Sequence, residues 1–392
     1  MTPAARVQAA IEILDEIAAG KAAEQALTGW SRRSRYAGSK DRAAVRDHVF
    51  DVLRCRRSFA ALGGGETGRG WMLGALRQAG IDPDTVFTGA NYAPAMLSDA
   101  ERGAGRAPAP GPEALDIPDW LWPRFHESLG EHGAACAGAL QSRAPVHLRV
   151  NRRKAGIEEA QHSLLADGIA TIPHAAASTA LEITEGARRL RQSAAYQSGL
   201  VELQDAASQA VVEMLPLRDG LRVLDFCAGG GGKSLAMAAQ AQLDLFAHDA
   251  APERMGDLPA RAARAGVTVN LIAGKALEQA APFDIVLCDA PCSGSGAWRR
   301  SPEGKWRLDE AGLQELCRLQ AEILDTASQL VASDGLLAYA TCSVLRDEND
   351  DQMAHFLQQN PGWSLAVQRQ WTMQHGTDGF FTAHLTRDVV GT

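Results

Sequence analysis

The sequence lacks the cysteine patterns that build disulfide frameworks and structural zinc sites. Its 392 residues include seven cysteines, which are scattered singly and form no Cys-x-x-Cys pair. This usage is typical of a reducing compartment and argues against both kinds of site. No metal site is predicted from it.

Membrane segments and a positive net charge are missing as well. The first twenty residues carry Glu12, Asp15 and Glu16 among apolar residues, unlike a secretory signal or a transit peptide, and no apolar run is long enough to span a bilayer. We therefore expect a cytoplasmic protein without a membrane partner. The formal net charge of −8 argues against unspecific nucleic-acid binding, because phosphate recognition needs positive charge. Any nucleic-acid surface must then be local.

The amino-terminal part of the chain has the pattern of a helical domain. A chain of 392 residues is too long for one ordinary core, so several domains are expected. Residues 5 to about 62 repeat apolar positions at helical spacing, and a second helical stretch is predicted from Trp71 to Asp99. The segment Gly103–Pro112 has the composition of a loop or linker.

The densest basic run of the sequence lies in this helical part. It includes Arg32, Arg33, Lys40 and Arg42. Interleaved acidic residues leave two interpretations open, a solvated helix face or a nucleic-acid surface. On the second interpretation, these four cations are candidate nucleic-acid contacts.

Beyond the linker the pattern changes to short strands and helices. Val146–Val150 and Ala180–Ile183 are predicted strands with a helix over Ile157–Asp167 between them, which suggests a small α+β module. From Gly220 onward strands and helices alternate, which predicts a parallel sheet with helices on both faces. The predicted strands of this part are Arg222–Phe226, Leu243–Ala247, Val267–Leu271, Phe283–Cys288 and Leu336–Ala340.

Two cysteines follow predicted strands at the points where those strands end. Cys292 lies in the loop Asp289–Gly296, directly after one strand, and Cys342 follows the strand that ends at Ala340. If the two strands are neighbours in a parallel sheet, both loops open on the same carboxyl edge, where ligands bind in open α/β sheets. The two thiols would then share one site. The other cysteines are predicted to be small buried hydrophobic residues.

A glycine-rich segment follows the first strand of the alternating part. The run Asp225–Ser234 places four consecutive glycines before a helix, so that a ligand can approach the backbone at a helix amino terminus. It departs from a phosphate-binding P-loop, whose first glycine falls on Cys227, and from the dinucleotide fingerprint. Asp249, at the end of the second strand, is placed to accept hydrogen bonds from ribose hydroxyls. This combination favours a nucleoside ligand without a polyphosphate.

Three segments resemble the signature blocks of the RsmB/NOL1/NOP2/Sun family of RNA 5-methylcytosine methyltransferases. They are, in the family's order, Cys227–Lys233, Asp289–Gly296, and Thr341–Val344 with Glu348 and Asn349. Val201–Gln209 and His375–Phe381 are similar to further segments of the family, and Lys40–Val45 is similar to the NusB-like helical domain of its bacterial members.

The resemblance implies an α/β fold, with a Rossmann-like methyltransferase domain preceded by an all-α NusB-like domain and a small α+β module. The domains would span residues 1–140 (helical, RNA-binding), 141–198 (α+β) and 199–392 (catalytic). It further implies S-adenosylmethionine as the cofactor and RNA as the partner, in the form of ribosomal RNA or a ribosomal particle. We expect a monomer.

The family's motifs imply roles for individual residues of this chain. Cys342 matches the nucleophile that adds to carbon 6 of cytosine, and Cys292 matches the cysteine that assists product release. Asp289 would accept from the exocyclic amine of cytosine. Two roles stay open for Lys233, either lowering a thiol pKa or holding the methionine carboxylate. The implied cofactor-binding residues are Cys227, Ala228, Gly229, Gly230, Gly231, Gly232, Lys233, Asp249 and Asp289.

Basic and aromatic residues follow the Cys292 loop. Arg299 and Arg300 stand beside Trp298, a combination that suits a flipped base and its flanking phosphates. Both arginines are therefore candidate RNA contacts. Exposed turn residues would have the same pattern, so this alternative stays open.

The sequence departs from the family pattern in two places. Ala273–Lys275 stands where an aspartate usually contacts the adenine amine, and Gly229–Gly230 stands where Ala-Pro is common.

Two rival functions also remain. A non-catalytic RNA-binding or assembly factor is disfavoured by the presence of both Cys292 and Cys342, and a P-loop NTPase is disfavoured by Cys227.

Overall fold

The computed structural model describes residues 1–388, which form two compact units. Unit 1 consists of Met1–Arg143 and Trp298–Arg307, and unit 2 consists of Ala144–Ala297 and the described residues from Leu308 onward. The last residues of the predicted catalytic domain, 389–392, lie outside the described residues. The division into three domains at the boundaries given above stays a prediction.

The regular elements are numbered in chain order. The helices are Pro3–Ala18 (α1), Ala23–Arg33 (α2), Ser39–Arg54 (α3), Arg56–Gly63 (α4), Gly68–Gln78 (α5), Asp99–Gly103 (α6), Trp122–Leu129 (α7), Gly133–Leu140 (α8), Ile157–Ala166 (α9), Ala194–Gln197 (α10), Ala206–Glu213 (α11), Gly232–Gln240 (α12), Leu258–Ala265 (α13), Lys275–Ala280 (α14), Glu303–Arg307 (α15), Glu310–Ser328 (α16) and Asp350–Gln359 (α17). The strands are Val146–Val150 (β1), Ala170–Pro173 (β2), Ala180–Glu185 (β3), Val201–Leu203 (β4), Arg222–Asp225 (β5), Asp244–Ala247 (β6), Asn270–Leu271 (β7), Phe283–Asp289 (β8), Val331–Thr341 (β9), Trp363–Trp371 (β10) and Phe380–Arg387 (β11).

Unit 1 is built from helices, as the sequence predicts for its first part. α1 begins where the Thr2 side chain accepts a hydrogen bond from Ala5 N at 3.2 Å and Pro3 occupies the first turn, and both features favour a helix start. The apolar faces of α1 to α5 pack into one core that contains Trp30 and Trp71. Among the described helices, none combines the length and apolarity that crossing a bilayer requires.

The predicted helix from Trp71 to Asp99 is wrong in length. α5 ends at Gln78, and residues 86–98 form no helix. Gly80 has a left-handed φ of 67°, and Pro83 follows it. Glycine stabilises the end of a helix in this conformation and proline has no N–H to continue one, so the helix stops despite the apolar residues that follow.

A short segment from late in the chain, residues 298–307, belongs to unit 1. Within it, Trp306 Nε1 donates a hydrogen bond to Leu53 O at 2.6 Å, and Lys305 Nζ donates to Arg54 O at 3.2 Å. Burial lowers the pKa of Lys305 to about 8. These contacts make the segment an integral part of the helical unit.

The smaller sheet of unit 2 is antiparallel, with the strand order β2-β3-β1-β4. The predicted strands Val146–Val150 and Ala180–Ile183 are confirmed, as is the helix between them. Arg149 in β1 donates hydrogen bonds to Gly232 O at 2.7 Å and to Gln204 Oε1 at 2.6 Å. This buried guanidinium therefore connects the small sheet with the first residue of α12.

The larger sheet has the order β10-β11-β9-β8-β5-β6-β7. β5 to β9 pair in parallel, whereas β11 runs antiparallel to β9 and β10. Val223 packs in one core with α11 and α12, and its neighbour Leu224 packs in another with α16 and α17, so helices cover both faces as predicted. Only the predicted strand Val267–Leu271 is much shorter than expected, because β7 pairs with β6 over just two residues.

Candidate active site

The two loop cysteines lie side by side. β8 and β9 are adjacent and parallel, with Asp289 opposite Ala340, so their carboxyl ends meet at one edge of the sheet. The Sγ atoms of Cys292 and Cys342 are 3.4 Å apart, and both residues are partly exposed. The prediction that strand pairing brings these two thiols to one site is confirmed.

The surroundings of Cys292 favour the protonated form of its thiol. The contact with Cys342, and after it burial, raises the pKa of the Cys292 thiol well above its ordinary value. Cys292 therefore carries its proton at neutral pH and can donate it in a hydrogen bond to Cys342 Sγ. Burial also raises the pKa values of Cys227 and Cys288, in keeping with their predicted role as hydrophobic residues.

A buried carboxylate holds the two cysteine loops together. Glu348 is fully buried, and its Oε1 accepts hydrogen bonds from Ser293 N at 2.8 Å and from Gln320 Nε2 at 3.0 Å. Its Oε2 accepts from the hydroxyls of Ser293, at 2.5 Å, and Ser343. Since Ser293 follows Cys292 and Ser343 follows Cys342, one carboxylate fixes the position of both thiols.

Asn349 forms two further hydrogen bonds that hold the Cys342 loop. Its Oδ1 accepts from Thr341 Oγ1 at 2.6 Å, and its Nδ2 donates to Ser343 O at 3.0 Å. These residues flank Cys342 on both sides, and Asn349 is fully buried. Sequence reasoning noted Glu348 and Asn349 only as part of a family motif and gave them no role.

Asp289 and Lys233 form an ion pair at the same edge of the sheet. Lys233 Nζ lies 2.7 Å from Asp289 Oδ2, and Lys233 is buried whereas a third of the Asp289 side chain, 33%, is exposed. Lys233 Nζ also lies 5.0 Å from the centre of the Phe380 ring. The structure thus gives Lys233 a partner that neither of its two predicted roles included.

The glycine loop between β5 and α12 takes a conformation that requires glycine. Gly231 has a φ of 77°, and a Cβ atom there would lie 2.2 Å from Leu258 Cδ1. Asp249, at the end of β6, is buried beneath this loop. It accepts from Gly229 N at 2.8 Å and from Ala251 N at 2.9 Å, so it orders the loop, and its contact with a ribose stays a prediction.

Sequence reasoning missed Asp225, the last residue of β5. The carboxyl is fully buried, and its Oδ2 accepts from Ser234 Oγ at 2.6 Å, whereas its Oδ1 has no hydrogen-bond partner among residues 1–388. Burial, and to a lesser extent the nearby Asp289 charge, raises the pKa of Asp225 to about 7. A buried carboxyl oxygen without a donor is costly for folding and is typical of a site that a ligand completes.

Asp225 is expected to make the protein less stable as the pH rises. The unfolded chain ionises this carboxyl near 3.8 and the folded chain near about 7, so stability is lost across that interval, by up to about 4 kcal/mol. Asp225→Asn keeps an acceptor for Ser234 and removes the titration. The variant's free energy of unfolding in urea, relative to the wild type, should therefore increase between pH 4 and pH 7. A constant difference across this range would contradict the assignment.

The predicted nucleic-acid contacts of the helical part are all exposed. They are Arg32, Arg33, Lys40 and Arg42. Arg33 pairs with Glu16 at 2.7 Å, and Arg42 Nε donates to Ala37 O at 3.0 Å. These contacts fit either of the interpretations left open, so the role of the four cations stays a prediction.

The prediction for Arg299 needs a correction. Arg299 is only 4% exposed, Trp298 beside it is buried, and both belong to the segment that clusters with unit 1. Arg54 Nε donates to Arg299 O at 2.8 Å. Arg300 is exposed and remains a candidate RNA contact.

Lys275 lies in the segment that departs from the family pattern. It is the first residue of α14 and is exposed.

Two family models match the chain. The model described as 16S rRNA methyltransferase RsmB/F matches residues 212–386, which contain the glycine loop and both cysteine loops. The model described as the ferredoxin-like domain of RsmF/B-like methyltransferases matches residues 117–188.

Individual relatives extend this similarity. The chain is 34% identical over 286 residues to ribosomal RNA small subunit methyltransferase B of Citrobacter koseri, an alignment that covers 69% of this chain and 66% of that relative. The chain thus spans slightly less than two thirds of the length of that protein.

Two solved structures are similar in fold. The crystal structure of PH0851 matches with a TM-score of 0.76 and 25% identity over 99% of both chains. NSun6 from Pyrococcus horikoshii, solved with SFG, matches with a TM-score of 0.60 and 16% identity over 69% of this chain and 98% of that chain. The predicted Rossmann-like methyltransferase fold, with a helical amino-terminal part and an α+β module, is confirmed.

Proposed function

The chain belongs to the RsmB/F family of methyltransferases, and on that premise we propose that it methylates carbon 5 of a cytosine in RNA. The methyl donor is S-adenosylmethionine, and the substrate class is ribosomal RNA. The observation that carries the proposal is the 3.4 Å contact between Cys292 Sγ and Cys342 Sγ at the carboxyl edge of the sheet.

The chemistry explains why two thiols are needed. Carbon 5 of cytosine is a poor nucleophile, but a thiolate that adds to carbon 6 turns the ring into an enamine-like adduct whose carbon 5 can accept a methyl group. The methylated adduct then loses the carbon 5 proton to water, the electron pair of that C–H bond re-forms the carbon 5–carbon 6 double bond, and the carbon–sulfur bond breaks to return the Cys342 sulfur. Addition and release are separate steps, so a nucleophile for the first and a proton donor for the second are both needed.

Cys342 is proposed as the nucleophile and Cys292 as the group that assists release. Cys292 carries its proton at neutral pH, so its S–H can donate to the Cys342 sulfur both before attack and as that sulfur departs. Asp289 is proposed to accept from the exocyclic amine of cytosine, and its partial exposure leaves it accessible to a base. Lys233 holds the Asp289 carboxylate in place.

The residues around the glycine loop fit S-adenosylmethionine, which supplies an electrophilic methyl group when bound. The loop from Cys227 to Lys233 offers backbone groups at the start of α12, and Asp249 is at the position that suits ribose hydroxyls. The Asp225 oxygen without a donor suits the positively charged methionine part of the cofactor. The likeness in fold to a protein solved with SFG, an S-adenosylmethionine analogue, supports this assignment.

Release of tritium tests the proposed target atom. RNA transcribed with [5-³H]cytidine is incubated with the protein and S-adenosylmethionine, and methylation at carbon 5 should release tritium into water in step with methyl incorporation. Bisulfite mapping of ribosomal RNA from a deletion strain then identifies the nucleotide. Methyl incorporation without tritium release would place the methyl group on another atom and overturn the proposal.

Asp249→Ala is expected to weaken S-adenosylmethionine binding by roughly 1.5–3 kcal/mol, because a charged hydrogen-bond partner is lost and Gly229 N loses its acceptor. Calorimetry with the free cofactor measures this change. Glu253→Ala, an exposed carboxylate in the next turn, is the matched control and should bind normally. An unchanged Kd for Asp249→Ala would mean that the ribose lies elsewhere.

Glu348→Gln is expected to slow methyl transfer about tenfold or more, because an amide nitrogen replaces one oxygen that fixes Ser293 and Ser343, at a cost of about 1–3 kcal/mol. The cofactor Kd should not change, because the glycine loop lies on other strands. Glu310→Gln, at the exposed start of α16, is the control. Equal rates for the two variants would show that the carboxylate does not position the thiols.

A further inference from the structure

Three potential metal ligands meet at the small sheet of unit 2. His147 in β1 and Glu182 in β3 face each other directly in the antiparallel register, and His174 follows the end of β2. One ligand atom from each of these side chains lies within 4.8 Å of the others. None of them belongs to the proposed active site.

His147 is prepared for a metal by its surroundings. Its side chain is completely buried, and its Nδ1 lies 3.0 Å from Asp205 Oδ2. Nδ1 also has Ala206 N at 3.3 Å, but the Asp205 carboxylate is nearer and can only accept, so we assign the proton to Nδ1 and the lone pair to Nε2. Within the described part of the chain Nε2 has no hydrogen-bond partner, and it lies 4.0 Å from Glu182 Oε2.

Asp205 is itself fixed in place. Its carboxylate accepts from Ala207 N at 2.9 Å, where it caps α11, and from Asp378 N at 3.2 Å. Most metal-binding histidines donate the N–H of one ring nitrogen to an anchored acceptor and bind the metal through the other nitrogen. The free lone pair of His147 is therefore oriented before any metal arrives.

We propose that His147, His174 and Glu182 bind a zinc ion, with Asp205 as the orienting carboxylate. Two imidazoles and one carboxylate are a donor set that zinc prefers, and a water completes the tetrahedron. Ligand atoms of such a site lie about 3.4 Å apart, given zinc bonds of about 2.1 Å. The donors must therefore close in slightly, which the two outer side chains allow.

The outer ligands are free to make this adjustment. Glu182 is 32% exposed at its side chain. The His174 ring accepts a hydrogen bond at Nδ1 from Ala176 N at 3.2 Å, and its centre lies 4.8 Å from the centre of the His147 ring. His174 Nε2 lies against Gly376, where an added Cβ would come within 3.1 Å. The partial exposure of both side chains also gives the ion a path from solvent.

The ion would stabilise unit 2 by joining the small sheet to the segments that Asp205 anchors. Binding to the folded state alone raises the melting temperature in proportion to the logarithm of the metal concentration. This role does not depend on the proposed methyl transfer. In the contacts described above, none of the three ligands touches the thiols or the glycine loop.

The test titrates tag-free, chelator-treated protein with Zn²⁺ and measures binding by calorimetry and retained metal by mass spectrometry after dialysis. We expect one tightly bound zinc per chain, a binding at least tenfold weaker in His174→Ala, and no change in the control His162→Ala, an exposed histidine of α9. Because thiols also bind zinc, the double variant Cys292→Ala with Cys342→Ala is titrated in parallel and should retain the ion.

A second measurement keeps the proposal testable if a variant loses stability. Co²⁺ added to the wild type should give the visible absorption of a tetrahedral site without the sulfur charge-transfer band, and Glu182→Gln should alter it. Equal zinc retention in the wild type and His174→Ala, or loss of the zinc in the double cysteine variant, would overturn the assignment. A wild type that retains no zinc would overturn it as well.

Discussion

Replacing Cys342 with alanine is expected to reduce methyl transfer by at least about three orders of magnitude, because the covalent route to an activated carbon 5 is lost. The Kd of S-adenosylmethionine should stay within about twofold of the wild type. The thiol lies at the end of β9, whereas the glycine loop follows β5, so the cofactor residues keep their contacts. Single-turnover methyl transfer and calorimetry measure the two quantities.

Cys288→Ala is the control for this variant. Cys288 lies in β8, only four residues before Cys292, but it is fully buried in the hydrophobic core. Its loss should lower stability and leave the rate per folded molecule unchanged. Normal turnover by Cys342→Ala would remove that residue from the role of nucleophile.

Replacing Cys292 with alanine is expected to trap RNA on the protein. Attack by Cys342 and methyl transfer can proceed, but the S–H that lies 3.4 Å from the departing sulfur is gone, so the carbon–sulfur bond breaks slowly. A protein–RNA adduct should therefore survive on a denaturing gel. Its formation should require both S-adenosylmethionine and the target cytosine.

The double variant decides which sulfur carries the adduct. With Cys292→Ala and Cys342→Ala combined, the band should disappear. Accumulation of the adduct in Cys342→Ala alone would reverse the two roles. If neither single variant traps RNA and both remain active, the thiols are structural, and the covalent mechanism is wrong.

The position of the thiol pair could be predicted from the sequence because it follows from a periodic feature. Short apolar runs that end in polar residues predict parallel strands, and parallel strands end at one edge. Cys292 and Cys342 each follow such a run, so their meeting needs only that β8 and β9 are neighbours. The glycine loop and Asp249 could be placed by the same argument.

The contacts that fix the thiols could not be predicted in this way. Glu348 reaches Ser293 across 55 residues of sequence, and no periodicity marks a buried carboxylate as the partner of two serines. The cluster around His147 depends on the exact antiparallel register of β1 and β3, which a shift of one residue would destroy. Arg299 was misplaced because its pattern of neighbours is the same in an exposed turn and in a packed one.

The return of residues 298–307 to unit 1 limits how the chain can be divided. A fragment that begins at Ala144 would keep the segment 298–307 but lose the other part of unit 1, including α3, whose Leu53 O accepts a hydrogen bond from Trp306. Such a fragment would expose new apolar surface within a few residues of the Cys292 loop. The methyltransferase fold is thus contiguous in space but not in sequence. To study it in isolation, the chain must be truncated before Ala144 and the segment 298–307 must be redesigned.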